Sequence, residues 1–212
     1  MRHLISNYFV LLVFTIPFLA LGQVSDENDD DKSCEVFNPS VYESPEREVL
    51  RTELLSLFGP LKGKDLLDIG AGAGYFAFEY AKSARNVVAT ELNDQLIDYM
   101  IKKKRNLGLS NLSVVEGSND FSELKGKSFD IALMVDVYHE LNDPKAMLPI
   151  LKNSMKANGR IVIVESHLSP IIVTDYLEMA GFSNTKISKF SYDTQCGLAE
   201  VNIISADNNT SN

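Results

Sequence analysis

Gly70, Gly72 and Gly74 occupy alternate positions in Leu66-Leu67-Asp68-Ile69-Gly70-Ala71-Gly72-Ala73-Gly74-Tyr75-Phe76, where an apolar run passes straight into a glycine-rich turn. Glycines there let the backbone turn tightly and let a ligand approach the amides, Ala71 included, with no Cβ in the way. The spacing narrows the ligand. A dinucleotide fingerprint places its third glycine or alanine five residues after the first, and that position is Tyr75, so a pyrophosphate on the helix end is disfavoured. No Walker lysine follows the loop. Asp68 puts a carboxylate at the mouth of the strand, where it repels phosphate and attracts an ammonium group. Glu91 follows Gly70 by 21 residues, the place from which an acid accepts hydrogen bonds from both hydroxyls of a ribose. Structural duties compete with these roles: Asp68 as a cap on the loop amides, and Glu91 as an acid beside the dipole of the following helix.

A ribose beside a cation points to S-adenosylmethionine. Methyl transfer from a sulfonium asks little covalent chemistry of a protein, since rate comes from holding the nucleophile in line at near-contact distance. An acceptor that must lose a proton is helped by a base, and Asp136, Tyr138, His139 and Glu140 cluster where a fourth strand should end. His139 is the candidate, because a neutral imidazole matches neutral pH, although a turn partner for Asp136 is an equally ordinary use of it. His167 faces the same mouth, and Glu165 reads as a polar stop to its strand.

Elements that would position these groups follow from periodicity. Ser44-Pro45-Glu46 starts a helix over 45–58, stopped by Gly59-Pro60. Short apolar runs at 66–69, 87–90, 112–115, 131–135 and 161–164 read as buried parallel strands. Helical stretches at 75–84, 94–107 and 144–156 lie between them, the last opened by Asp143 and Pro144. Such alternation forces right-handed crossovers. A helix over 170–180 and two strands, 186–191 and 200–204, complete the chain. The expected fold is therefore α/β: a Rossmann-like, doubly wound seven-stranded sheet, mostly parallel, with a C-terminal antiparallel hairpin.

These residues resemble the class I S-adenosylmethionine-dependent methyltransferases, in the branch of the ubiquinone and menaquinone biosynthesis enzymes and their exported bacterial relatives. The resemblance covers about 42–165. It rests on the glycine loop, on Glu91, on Asp136-Val137-Tyr138-His139-Glu140-Leu141 with Asp143-Pro144, and on Lys156-Ala157-Asn158-Gly159-Arg160 leading to Glu165. It implies S-adenosylmethionine as cofactor, with Asp68 and the glycines lining its methionine part and Glu91 its ribose. Gly117, Ser118 and Asn119 would edge the adenine, Ser118 standing where relatives often carry an acid, and Asp136 would close the same pocket. After Glu165 the chain departs from such relatives, passing through Ser166-His167-Leu168-Ser169 almost directly into Pro170. Little lid remains, so the small-molecule acceptor is not readable, and a non-catalytic exported binding or scaffold protein on the same fold is the alternative.

Acidic residues outnumber basic ones by 29 to 20, for a net charge of −9, so nucleic acid is not an expected partner. Residues 1–22 read as a secretory signal peptide. Their apolar core, Tyr8 to Leu21, is 14 residues, shorter than the roughly 20 that span a bilayer, and Ala20 and Gly22 suit a signal peptidase. An uncleaved anchor tethering the domain to a membrane is the other reading. Residues 23–40, with five acids between Asp26 and Asp31, read as a solvated tether, 41–206 as the methyltransferase domain and 207–212 as a tail. Export is the expected location, and Cys34 and Cys196 could then form a disulfide. Exported protein would need S-adenosylmethionine outside the cytosol, where it is made. Oligomeric state leaves no trace in the pattern.

Overall fold

The computed structural model describes residues 47–194 and 197–209. The signal peptide, the acidic tether, the Ser44-Pro45 helix start and both cysteines therefore lie outside the described residues. Chain order is α1 (Arg47–Phe58), β1 (Asp65–Ile69), α2 (Tyr75–Ala81), β2 (Asn86–Glu91), α3 (Asp94–Leu107), β3 (Leu112–Glu116), β4 (Phe129–Val135), α4 (Pro144–Asn153), β5 (Met155–Glu165), α5 (Pro170–Met179), β6 (Ser183–Thr194) and β7 (Gly197–Asn208). No described helix is long and apolar enough to cross a membrane.

One seven-stranded sheet runs β3-β2-β1-β4-β5-β7-β6. β1 pairs in parallel with β2 and β4, and β7 pairs antiparallel with β5 and β6. The direction of winding reverses between β1 and β4, which opens a crevice at their carboxyl ends. Side chains alternate across the sheet. Leu66, Ile131, Leu133, Val162 and Val164 pack with Leu50, Leu54 and Phe58 of α1 and Phe76 and Tyr80 of α2. Leu67, Ile69, Met134, Ile161 and Ile163 pack instead against Met147, Leu148 and Leu151 of α4 and Val173 and Leu177 of α5. This period-two division is what strands buried on both faces require.

Caps set where the helices begin. The Asn93 side chain accepts from the amides of Gln95 and Leu96 to open α3, and Asp143 accepts from Ala146 ahead of Pro144 to open α4. Several boundaries depart from the sequence reading: α2 ends at Ala81 and not at 84, and β6 and β7 run well beyond 186–191 and 200–204. α4 ends at Asn153 and not at 156, because Ser154 already turns the chain and Met155 pairs with Phe129 to begin β5. That strand then shifts register through the turn-like Lys156-Ala157-Asn158-Gly159, with Asn158 at a left-handed φ of 62°. The stretch read as a tail from 207 is in part the last strand. Asp207 accepts from Arg160, and the buried Asn208 donates its amide to the carbonyls of Lys152, Met155 and Lys156.

Candidate functional site

The crevice at the carboxyl ends of β1, β2 and β4 is a cleft of about 570 Å³. Asp68, Gly70, Ala71, Gly72, Glu91, Ser118, Asn119 and Asp136 all line it. Gly74 does not. It stands at the start of α2 with φ 83°, donating to the Ala71 carbonyl and accepting from Phe78, so its part is to open the helix behind the loop. A side chain at Gly74 would come within 2.8 Å of Phe78 and 2.9 Å of Met100.

Gly70 is left-handed, at φ 65°, and a Cβ there would lie 2.2 Å from Val137 Cγ2. The loop can therefore pass under the β4 turn only as bare backbone. Glu91 ties the loop from the other side: Oε2 accepts from the Gly72 amide at 2.8 Å, and Oε1 from the amides of Leu92 and Asn93 at 2.8 and 3.0 Å. Its place beside the helix that Asn93 caps is real, and so is its face on the cleft; Oε2, with one amide, keeps a lone-pair direction for a hydroxyl, while Oε1 already accepts two.

Asp68 is 4% exposed, and its Oδ2 has no hydrogen-bond partner within the protein. Burial raises its pKa from 3.8 to about 7, opposed by the Ala77 amide and by Arg47, and reinforced by the charge of Glu91. A buried carboxylate oxygen left without a partner, on a residue of the cleft wall, is a seat for a donor that the protein itself lacks. Around it stand Glu91, Glu123, Asp136 and Glu140, with Arg47 as the cationic member of the wall among the described residues. Apolar surface from Phe76, Leu96, Phe121 and Met147 completes the lining. The combination fits a cation joined to a flat ring and a ribose, and so fits S-adenosylmethionine.

Ser118 behaves differently from its expected role at the adenine. Its hydroxyl lies 2.8 Å from Asp120 Oδ1, close to Glu123 Oε2, and accepts from the Ser122 amide, so it shapes the turn beyond β3. Asn119 stays in the cleft wall.

Where the chain leaves β4, next to the Val137 that covers Gly70, Asp136 takes a left-handed φ of 57°. Its Oδ1 accepts from Ser166 Oγ at 3.1 Å and lies 3.2 Å from His167 Nδ1. His139 is set back: it is absent from the cleft wall, and its Nδ1 lies 3.1 Å from Glu165 Oε2. Glu165 is fully buried and is the hub of this cluster. Its oxygens also accept the amides of His139 and His167 at 3.1 and 2.7 Å. Burial pushes its carboxyl upward, but the hydrogen bonds from His167 and His139 outweigh that and hold it below the usual range. Sequence reading took Glu165 for a strand stop because nothing local signals that two histidines fold back over it. Arg47 was missed for a related reason, being one more charge on the polar face of α1.

Comparison with known proteins gives the family. The family described as a methyltransferase domain matches residues 60–197. A probable cobalt-precorrin-6B C(15)-methyltransferase (decarboxylating) of Methanobrevibacter smithii is 26% identical over 180 residues, 83% of this chain and 85% of that one. The mitochondrial ubiquinone biosynthesis O-methyltransferase of Schizosaccharomyces pombe is 29% identical over 115 residues, 53% of this chain but only 41% of the yeast enzyme. Among solved structures, a SAM-dependent methyltransferase from Aquifex aeolicus superposes with a TM-score of 0.62 at 24% identity, covering 80% of this chain and 99% of that one. The family match spans well over half of the chain and falls on the strands that build the cleft. The chain therefore belongs to the methyltransferase domain family, as a class I enzyme that uses S-adenosylmethionine.

Proposed function

We propose that this enzyme methylates a small molecule whose nucleophile carries a proton, such as a phenol or quinol, with the acceptor at the Asp136 end of the cleft. The observation that carries the cofactor side is the partnerless Oδ2 of buried Asp68 beside the glycine loop. When bound, S-adenosylmethionine supplies a methyl group on a positively charged sulfur. Asp68 accepts from its ammonium group, Glu91 from its ribose, and the amides near Ser118 and Asn119 edge the base. The carboxylates of the wall favour the sulfonium electrostatically. Support for a hydroxyl acceptor comes from the O-methyltransferase similarity and from the imidazole and carboxylate groups gathered at that end. His139 serves such an acceptor only where the acceptor reaches the rim, since the ring lies behind the wall.

Calorimetric titration with S-adenosylmethionine and S-adenosylhomocysteine tests the cofactor side. Asp68→Ala and Glu91→Ala should each weaken binding by about 1–3 kcal/mol, the worth of a lost charged hydrogen bond. Undiminished affinity in both variants would remove these assignments. Turnover over a panel of phenols, quinols and thiols tests the acceptor class, and binding without turnover on any of them would favour the non-catalytic alternative. We also propose export, supported by the short apolar stretch and small residues ahead of Gln23. Amino-terminal sequencing of the mature protein should begin at Gln23, and recovery of an intact Met1 would identify an anchor.

A further inference from the structure

We propose that Asp136, His139, Glu165 and His167 form a binding site for one divalent first-row transition-metal ion at the acceptor end of the cleft. One ligand atom from each of the four lies within 4.8 Å of all the others. The closest spacings are those of a coordination shell. His139 Nδ1 to Glu165 Oε2 is 3.1 Å, His167 Nδ1 to Asp136 Oδ1 is 3.2 Å, and His167 Nδ1 to Glu165 Oε1 is 3.5 Å. Ligands that each reach an ion over 2.0–2.2 Å stand about 3–3.6 Å apart.

The cluster exceeds what structure alone requires. Glu165 already accepts two backbone amides, which suffice to orient a buried carboxylate. Yet two imidazoles also turn the same nitrogen, Nδ1, toward it, their ring centres only 4.2 Å apart. His167 is 59% exposed on its side chain, and its Nδ1 also lies 3.1 Å from Ser166 Oγ. A cation gives all four groups one partner. With neutral rings, loading moves each ring hydrogen from Nδ1 to Nε2 and frees both Nδ1 lone pairs.

Ligand chemistry selects the ion. Two imidazoles with two carboxylates suit zinc, cobalt, manganese or iron in the divalent state, whereas calcium and magnesium prefer oxygen alone. Ser166 Oγ on Asp136, and the two amides on Glu165, orient the first ligands as outer-shell donors do. Glu165 is the buried floor, and the half-exposed Asp136 and His167 leave the outer positions of the ion open. Asp136 belongs to the cleft wall as well, so those open positions adjoin the space given above to the acceptor. Use of the ion to bind an acceptor oxygen rests on the methyltransferase reading; ion binding itself does not.

Cobalt is the probe that separates the two. The full chain is stripped with chelator and titrated with Co2+ while its visible ligand-field absorption is followed, with no S-adenosylmethionine present. One Co2+ per chain is expected, with intense bands of low coordination number that Zn2+ displaces. His167→Ala, on an exposed side chain, should lower the affinity at least about tenfold, and Asp136→Asn by a similar factor. Circular dichroism checks that each variant is folded. Absence of such bands up to about 1 mM Co2+ would overturn the site, since two imidazoles and two carboxylates bind far more tightly than that. So would bands that persist unchanged in a folded His139→Ala/His167→Ala double variant, which would place the ion elsewhere, such as on the Asp26–Asp31 acids. Loss of S-adenosylmethionine binding with cobalt bands intact would count against the cofactor reading alone.

Discussion

The two ends of the cleft are built by opposite means. At the cofactor end, backbone conformation does most of the work: Gly70 and Gly74 take left-handed angles within five residues of chain, and Glu91 holds Gly72 by its amide. At the acceptor end, side chains do it, drawn from the ends of β4 and β5 across 26 to 31 residues of sequence and converging on buried Glu165. A backbone loop tolerates almost no substitution but is fixed once folded. A side-chain cluster can be retuned residue by residue without disturbing the sheet. A shared cofactor suits the first construction and a changeable acceptor the second.

Gly70→Ala is the sharpest way to break the cofactor end. Its Cβ would fall 2.2 Å from Val137 Cγ2, and a β-branched valine cannot swing aside freely. Overpacking and a left-handed alanine together should cost about 3 kcal/mol or more, and S-adenosylmethionine binding should be lost in whatever fraction folds. Denaturant unfolding and calorimetry measure the two effects. A variant of wild-type stability would mean that the loop and the β4 turn are not in contact.

Asp68→Asn should separate function from stability. With its pKa raised to about 7, folded Asp68 keeps a proton that the unfolded chain releases near pH 4, so wild-type stability falls as pH rises from about 4 to 7. Asparagine removes that penalty. The variant should gain nothing near pH 4 and up to roughly 4 kcal/mol above pH 7, taking about 1.4 kcal/mol per unit over the shift from 3.8 to about 7. Cofactor affinity should nonetheless fall about tenfold or more. In the wild type, affinity for the cationic cofactor should rise between pH 5.5 and 7.5 as Asp68 ionises. A pH-independent stability difference between the two proteins would show that Asp68 titrates in the folded protein as it does in the unfolded chain.

How much of each end could be read from sequence follows from the same contrast. The loop, the alternation of strands with helices and the helix start at Asp143-Pro144 are local patterns, and the structure has them where the sequence puts them. Eight of the nine residues assigned to the cofactor line the cleft. Gly74 misses because a motif records conservation of geometry and does not distinguish a glycine that meets ligand from one that starts the helix behind it. Ser118 lines the cleft but gives its hydroxyl to Asp120 and Glu123, neighbours whose folding back no pattern announces. Sequence reading put His139 and His167 at one mouth, but that both turn onto Glu165 was invisible, because it depends on the directions side chains take at the ends of β4 and β5. The last hairpin was underestimated for a third reason: β6 is an edge strand whose exposed side chains are polar apart from Ile187, so most of its 12 residues carry no apolar run.

Glu165→Gln should act on the acceptor end alone. It retains shape and one carbonyl acceptor but loses the charge that faces two imidazoles, at a cost of about 1–3 kcal/mol in stability. Cofactor affinity should move less than about threefold, since Glu165 is not in the cleft wall, while turnover of any acceptor should fall by more. An equal loss of cofactor affinity and turnover would mean that the two ends fold as one unit.

The smallest expected effect comes from the amino end of the central strand β1 and serves as the control for both ends. Asp65, at the start of β1, accepts from Arg85 Nε at 2.8 Å, Asn86 Nδ2 at 2.9 Å and Lys156 Nζ at 2.7 Å. The hydrogen bond from Arg85, and then those of Lys156 and Asn86, outweigh burial and hold its carboxyl well below the usual range. A depressed carboxylate stabilises the fold above its unfolded pKa, near 4, and that contribution is lost as pH falls below it. Arg85 is half-exposed, so the net is modest: Asp65→Asn should cost about 1 kcal/mol at pH 7 and almost nothing in strong acid. Because the residue sits at the amino end of β1, three residues before Asp68 and with its own partners away from the cleft wall, S-adenosylmethionine affinity should not change. Should Asp65→Asn weaken cofactor binding as Asp68→Asn does, the loop would owe its shape to the whole of β1, and the local, backbone-built character assigned to the cofactor end would be wrong.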